Sequence, residues 1–269
     1  MKFLIVVYLT VLKILLFVIF TVVLSPVWAA AMTDQSQSWI WQKQKSDVNL
    51  FHVYQDEINQ LSQHDLDTLN QQVLTYVQSD QNRPADMNYR KYYSPVDQFQ
   101  KIMNVVKYHP VVGLDVEKYE RGSSSLGYCF GRATYLHLLF LKMGLQKNSI
   151  QKIWVLGRIL NDRGNGYWQF HVATMVYTQF QGWVVLDVNI GKPLSVPDWI
   201  LFYLKNNLNE KIRFYITDAN KFGPSVGRYD RVQLGLDSTR EMDWYNHYFK
   251  DMIYSFKRES LEQLGLVHF

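Results

Sequence analysis

Three residues of this chain have the types and the order that nucleophilic acyl chemistry needs: Cys129, His171 and Asp187. In such a set the thiolate attacks a carbonyl carbon. The imidazole takes the thiol proton and later gives it to the leaving group, and the carboxylate accepts the second imidazole N–H and fixes the ring's tautomer. Cys129 is the single cysteine in 269 residues. It lies in the stretch GYCFGRA, Gly127 to Ala133. This follows the irregular run Arg121-Gly122-Ser123-Ser124-Ser125-Leu126 and opens an apolar helix that reaches Met143 and stops at Gly144. A thiol in the first turn of a helix faces the positive end of the macrodipole and free N–H groups, and both favour thiolate. The backbone N–H of Cys129 is there a ready donor to an oxyanion. The competing structural reading of Cys129 is a small buried hydrophobe.

The base and the acid depend on strands. Ile153–Ile159, Tyr167–Tyr177 and Trp183–Val188 read as three successive strands, separated by the turn cluster Asn161–Gly166 and by a short hairpin loop at Thr178–Gly182. Side chains alternate along a strand. His171 therefore shares a face with Tyr167, Gln169 and Ala173, and Asp187 shares one with Val185 and Asn189. Both polar groups stand among apolar neighbours, and a buried carboxylate needs a partner. The pairing depends on register. With a three-residue loop and Thr178 opposite Gly182, His171 faces Asn189 and Asp187 is its diagonal neighbour on the same face. A two-residue loop puts the two side chains on opposite faces. The other readings are a satisfied core histidine and an aspartate that caps a strand end.

The chain opens with an apolar run from Phe3 to Val27, broken by Lys13 and ending in Ser25-Pro26-Val27-Trp28-Ala29-Ala30-Ala31. Residues 1–31 read as a signal peptide, with an uncleaved anchor as the alternative. Removing them takes Lys2 and Lys13 and no acid, so the formal charge falls from +4 to +2. That balance gives no reason to expect nucleic acid or stable membrane association as a partner. Residues 32–48 are polar and carry Trp39 and Trp41. Residues 48–78 have helical apolar spacing, 79–94 hold turn and breaker residues, and a helix follows Pro95. Pro193 and Pro197 bracket the entry to a helix near Asp198–Leu204. Residues 218–236 read as irregular, and a long helix is expected from Ser238 to Leu264. Helices before, an antiparallel meander after and the nucleophile on the helix between them predict an α+β fold, with extra helices at both ends.

Other chemistries fit less well. The histidines at 52, 64, 109, 137, 171, 247 and 268 lack the paired spacing of a zinc site, so no metal and no cofactor is expected. His137, inside the apolar helix, reads as structural. Ser123–Ser125 lack a nucleophile-elbow pattern.

The order Cys, His, Asp, with Cys on a helix and the others on following strands, resembles the transglutaminase-like core of the papain-type superfamily. Within it, three segments look like bacterial protein-glutaminase, a secreted family that deamidates glutamine side chains in proteins. These are Cys129-Phe130-Gly131-Arg132-Ala133, Trp168-Gln169-Phe170-His171-Val172-Ala173, and Leu186-Asp187 followed by Pro193 and Trp199. The resemblance covers about residues 122–200. It implies that Cys129, His171 and Asp187 are catalytic, and that residues 95–269 form a cysteine hydrolase domain. Residues 32–94 would be an N-terminal helical region and a candidate pro-segment. Tyr128, Trp168 and Trp199 are the candidate substrate pocket. The partner expected is a protein or peptide with an accessible glutamine, and the protein itself a secreted or periplasmic monomer. Amine transfer and proteolysis use the same residues and differ in pocket shape, so both stay open, as does a non-catalytic envelope-binding role.

Overall fold

The computed structural model describes residues 54–79, 96–114, 128–160, 167–178, 180–221, 223–224 and 244–268. The expected signal peptide, the leader with Trp39 and Trp41, the breaker stretch 80–94, the loop at 121–127, the turn at 161–166 and most of 218–236 lie outside them. The architecture is α+β and is built on one antiparallel sheet. The strands are β1 (Ile150–Leu160), β2 (Tyr167–Thr178), β3 (Gly182–Asp187), β4 (Lys192–Ser195) and β5 (Ile212–Asp218), in spatial order β4-β3-β2-β1-β5.

The sheet is covered on both faces, which is why its strands read as nearly continuous apolar runs. One face carries Ile153, Val155, Ala173, Met175, Val185 and Phe214. It packs against α5 (Val196–Asn206) and against Val73, Leu74 and Val77 of α2 (Gln63–Gln78). The other face carries Trp154, Phe170, Val172 and Thr174 and receives α4 (Tyr128–Lys142). Phe130 stacks on Trp154, and Thr174 Oγ1 donates to the Ala133 carbonyl at 2.8 Å. Phe130–Phe140 of α4 are buried except Leu138, as expected of a helix enclosed by α3 (Val96–Lys107), the sheet and α6 (Trp244–Arg258). Among the described residues no helix is long and apolar enough to cross a membrane.

Several elements depart from the sequence reading for local reasons. The apolar spacing over 48–78 reads as helical throughout, with no break marked. Within it, α1 (54–60) ends and α2 begins at Ser62, because Ser62 and Asp65 form a reciprocal capping box: the Asp65 N–H donates to Ser62 Oγ and the Ser62 N–H to Asp65 Oδ2. The C-terminal helix stops at Arg258, short of Leu264. There the Glu259 carboxylate is taken by His109, Tyr135 and Ser255 and its carbonyl by Lys142. Ser260 and Gln263 then start a separate turn. β4 and β5 were not anticipated at all.

β5 is a sheet edge, and α2 covers it. Asn70 is buried, donates from Nδ2 to the Ile212 carbonyl at 3.1 Å and accepts the Phe214 N–H at 3.0 Å. A side-chain amide thus replaces a missing strand and blunts an edge that would otherwise template pairing. Asn70→Ala leaves a buried N–H and a buried carbonyl unpaired and is expected to cost about 2–4 kcal/mol in chemical denaturation. A loss under about 0.5 kcal/mol, the range of an ordinary surface substitution, would show that the edge is satisfied otherwise.

Candidate active site

The β2–β3 ladder pairs Thr178 with Gly182, Val176 with Val184 and Thr174 with Leu186, so opposed residue numbers sum to 360. This is the odd-loop register, and it keeps His171 and Asp187 on one face. Asp187 ends β3, and its diagonal reach to His171 is realised: His171 Nε2 lies 2.8 Å from Asp187 Oδ2, with both side chains nearly inaccessible. The carboxylate is crowded with donors. Oδ2 also accepts Trp199 Nε1–H at 2.8 Å and Tyr203 O–H at 3.2 Å, and Oδ1 accepts the Asn189 backbone N–H at 3.1 Å. Burial alone would raise this carboxyl. The His171 charge and hydrogen bond, then Trp199 and Asn189, outweigh it and hold Asp187 below its ordinary value.

His171 Nδ1 is buried and has no hydrogen bond of standard geometry among the described residues. The Cys129 thiol is the group that interacts with this ring. Since Nε2 is engaged by Asp187, Nδ1 is the nitrogen left to exchange a proton with sulfur, and such bonds are often long before substrate arrives. Burial pushes the His171 imidazolium to lose its proton. Asp187 first, and Cys129 after it, reverse this and raise the ring to about 10. Burial pushes the Cys129 thiol up, but the His171 ring, Arg132 and the Val172 backbone N–H hold it below its ordinary value. Cys129 itself stays partly exposed at the start of α4, where a backbone N–H has no carbonyl four residues earlier in the helix. Both shifts favour transfer of the thiol proton to the ring.

The expected substrate-pocket residues divide. Trp199 is fully buried and so is not a pocket wall; it donates from Nε1 to Asp187 Oδ2. Ser195 caps α5 by accepting the Asp198 N–H, which sets the helix phase and turns residue 199 onto the sheet. Trp168 is partly exposed and stacks on the His171 ring, centroids 5.4 Å apart and planes 19° apart. Strict alternation places it on the other face. The β1 bulge between Leu156 and Ile159 adds local twist to this end of the β1–β2 ribbon. Gly157 sits in that bulge at φ +132°, with the Lys211 carbonyl where a Cβ would go. Tyr128 is partly buried, edge-on to Tyr248 of α6.

The sequence reading missed three contributors. Tyr203 is one helical turn after Trp199, and its i,i+4 spacing was the available signal. Arg132 and Asn189 line a small cleft with Cys129, Val172 and Asp187. Their contact spans 57 residues and has no local signature.

Two other clusters of titratable groups differ from this one. His109 Nδ1 accepts the Val111 and Val112 N–H groups, so Nε2 carries the proton and donates to Glu259 at 2.7 Å. That ring has no free lone pair with which to activate Ser255, and the cluster clasps the C-terminal segment. Beneath α4, Lys152 is fully buried, with its amine 4.1 Å from the Phe130 ring centre and near Thr134 and Lys221. Burial holds it well below the usual amine range. Burial, with Lys152 nearby, also pushes His137 down to about 3, so it is neutral. No group of three or more His, Cys, Asp or Glu side chains among the described residues is arranged to hold a metal ion.

No family model and no curated protein matches this sequence. Among solved structures the chain is similar to a crystal structure of protein-glutaminase at 16% identity and TM-score 0.39, covering 52% of this chain and 80% of that one. It is similar as well to the NMR structure of protein-glutaminase from Chryseobacterium proteolyticum, at 16% identity and TM-score 0.38 over 52% of this chain and 82% of that one.

Proposed function

We propose that this protein is an exported cysteine amidohydrolase that deamidates glutamine side chains of proteins or peptides. The observation that carries the reading is the buried His171–Asp187 pair at 2.8 Å, with the other ring nitrogen left for the one thiol of the chain. Acyl chemistry at sulfur follows from the groups. The choice of a carboxamide follows from the resemblance of the segments around Cys129, His171 and Asp187 to protein-glutaminase. Export rests on the apolar N-terminal run and its alanine-rich end.

The Cys129 thiolate attacks the carboxamide carbon, and the carbonyl oxygen takes up the charge against the Cys129 N–H. His171 gives its proton to the departing nitrogen, the C–N bond breaks and ammonia leaves. The neutral imidazole then takes a proton from water, whose oxygen attacks the thioester carbon. The C–S bond breaks, glutamate is released, and the thiolate–imidazolium pair is restored. Asp187 holds the ring in the tautomer that both steps need.

The test is ammonia release from an unfolded glutamine-rich protein, with glutamine-to-glutamate conversion read by mass spectrometry. Cys129→Ala is expected to reduce the rate by roughly three orders of magnitude or more. Chain cleavage, or incorporation of an added amine in place of water, would replace the deamidase reading with protease or acyltransferase chemistry. Absence of all three would leave the site non-catalytic.

A further inference from the structure

Arg132 follows Cys129 by three residues on α4 and so lies on the same helix face. It is 9% exposed, which is rare for arginine unless paired. Its partner is unusual. Arg132 Nη2 donates to the neutral side-chain amide of Asn189 at 2.9 Å, and among the described residues no carboxylate pairs with the guanidinium. A buried cation without a counter-ion is costly, and a nearby anion relieves it. The thiolate at Cys129 is that anion: Arg132 and Cys129 line the same cleft, and Arg132 helps hold the thiol below its ordinary value.

The same bond has a second consequence. Asn189 donates its backbone N–H to Asp187 Oδ1 at 3.1 Å, and Asp187 Oδ2 binds His171 at 2.8 Å. The links run from the nucleophile's helix, across the turn after β3, to the acid, then the base, and back to the sulfur. The Arg132–Asn189 bond thus joins this turn to α4.

We infer that Arg132 is a positioning residue with two separable duties: its charge favours the Cys129 thiolate, and its bond to Asn189 fixes the turn that carries Asp187 relative to α4. This rests on the acyl-transfer reading of the site, and the test keeps the two apart because half of it needs no substrate.

The first readout is the pH dependence of Cys129 alkylation by iodoacetamide in the intact protein. The second is kcat and KM for ammonia release. Arg132→Met is expected to move the alkylation midpoint to higher pH and to lower kcat about 10–100-fold with KM little changed, the scale of effect that misplacing a reacting group produces. Arg132→Lys keeps a charge but not the planar donor geometry. It is expected to hold the midpoint near wild type while losing kcat to the extent that Asn189→Ala does. An Arg132→Met midpoint equal to wild type overturns the charge duty. Unchanged kcat in both Arg132→Lys and Asn189→Ala overturns the tether. If Arg132→Met does not fold, Arg132→Gln takes its place for the alkylation midpoint, and Arg132→Lys and Asn189→Ala decide the tether, since a purely structural arginine would lower their melting temperature and leave kcat in place. A low wild-type midpoint without ammonia release would reject the deamidase reading and leave the charge duty standing.

Discussion

Asp187→Ala is expected to lower kcat/KM by roughly 10²–10⁴-fold and to destabilise the fold by about 3–5 kcal/mol. Both effects come from one fact: four donors converge on this carboxylate. His171, Trp199 and Tyr203 share Oδ2, and the Asn189 N–H binds Oδ1. Alanine takes this acceptor from all four, three of them on buried side chains. It also leaves the His171 ring, 1% exposed, without the charge that keeps it protonated against burial. Asp187→Asn separates the two effects. Its carbonyl oxygen still accepts, so the stability loss is expected to shrink to about 1–3 kcal/mol. The charge is gone, however, so the imidazolium is lost at lower pH. The alkaline limb of kcat/KM, expected near pH 10 in the wild type from His171, therefore moves to lower pH. Steady-state pH profiles and urea melts of the two variants check this. A kcat/KM for Asp187→Ala within tenfold of wild type would remove Asp187 from the mechanism.

Stability and reactivity respond to pH differently here. His171 binds its proton more tightly in the folded state, so its contribution is present below its unfolded pKa of about 6.5 and fades as pH rises towards 10. Cys129 releases its proton more easily in the folded state, so its contribution is present above its unfolded pKa of about 8.5 and fades as pH falls. Between those two unfolded values the two act in opposite senses: the His171 contribution falls as pH rises while the Cys129 contribution grows. Asp187 acts on the acid side. Its lowered carboxyl adds stability above about 3.9, lost as pH falls through the folded value.

How much of this was legible follows from which interactions are local. The His171–Asp187 pairing was readable because alternation and the parity of a short loop between Thr178 and Gly182 leave few choices. The role of Trp199 was not. Whether a helical residue faces core or solvent depends on the phase set by the cap at Ser195, and a tryptophan beside a catalytic segment reads equally well as a pocket wall. β5 alternates Ile212, Phe214 and Ile216, but it finds its place through β1 and Asn70, 142 residues before Ile212, and neither contact leaves a mark on its own segment. The Arg132–Asn189 bond depends on the path of the turn after β3, which composition does not encode.

The second large effect concerns a residue that the sequence presents only as part of a motif. Gly131 is two residues after Cys129, and Tyr248 of α6 packs directly on it. A Cβ at 131 would overlap the Tyr248 hydroxyl and two of its ring carbons, Cε1 and Cζ. Tyr248 has little room to yield. It is 1% exposed and held edge-on between Tyr128 at 5.6 Å and Phe249 at 5.4 Å. Gly131→Ala is therefore expected to cost about 3 kcal/mol, the upper part of the range for overpacking, despite alanine's better helix propensity. The strain has two outlets, α6 or the first turn of α4, and the latter carries the sulfur. Misplacing a nucleophile by about 1 Å is enough for roughly a 10²-fold loss of kcat. Tyr248→Phe is not expected to rescue the variant, because the ring carbons remain. Tyr248→Ala should rescue it, with the double variant no less stable than Tyr248→Ala alone and a coupling of about 3 kcal/mol in the cycle. Additive losses would mean that α6 is not the wall that Gly131 accommodates. Recovery of stability in the double variant without recovery of kcat would show that the aromatic wall itself, and not only the helix, sets the position of Cys129.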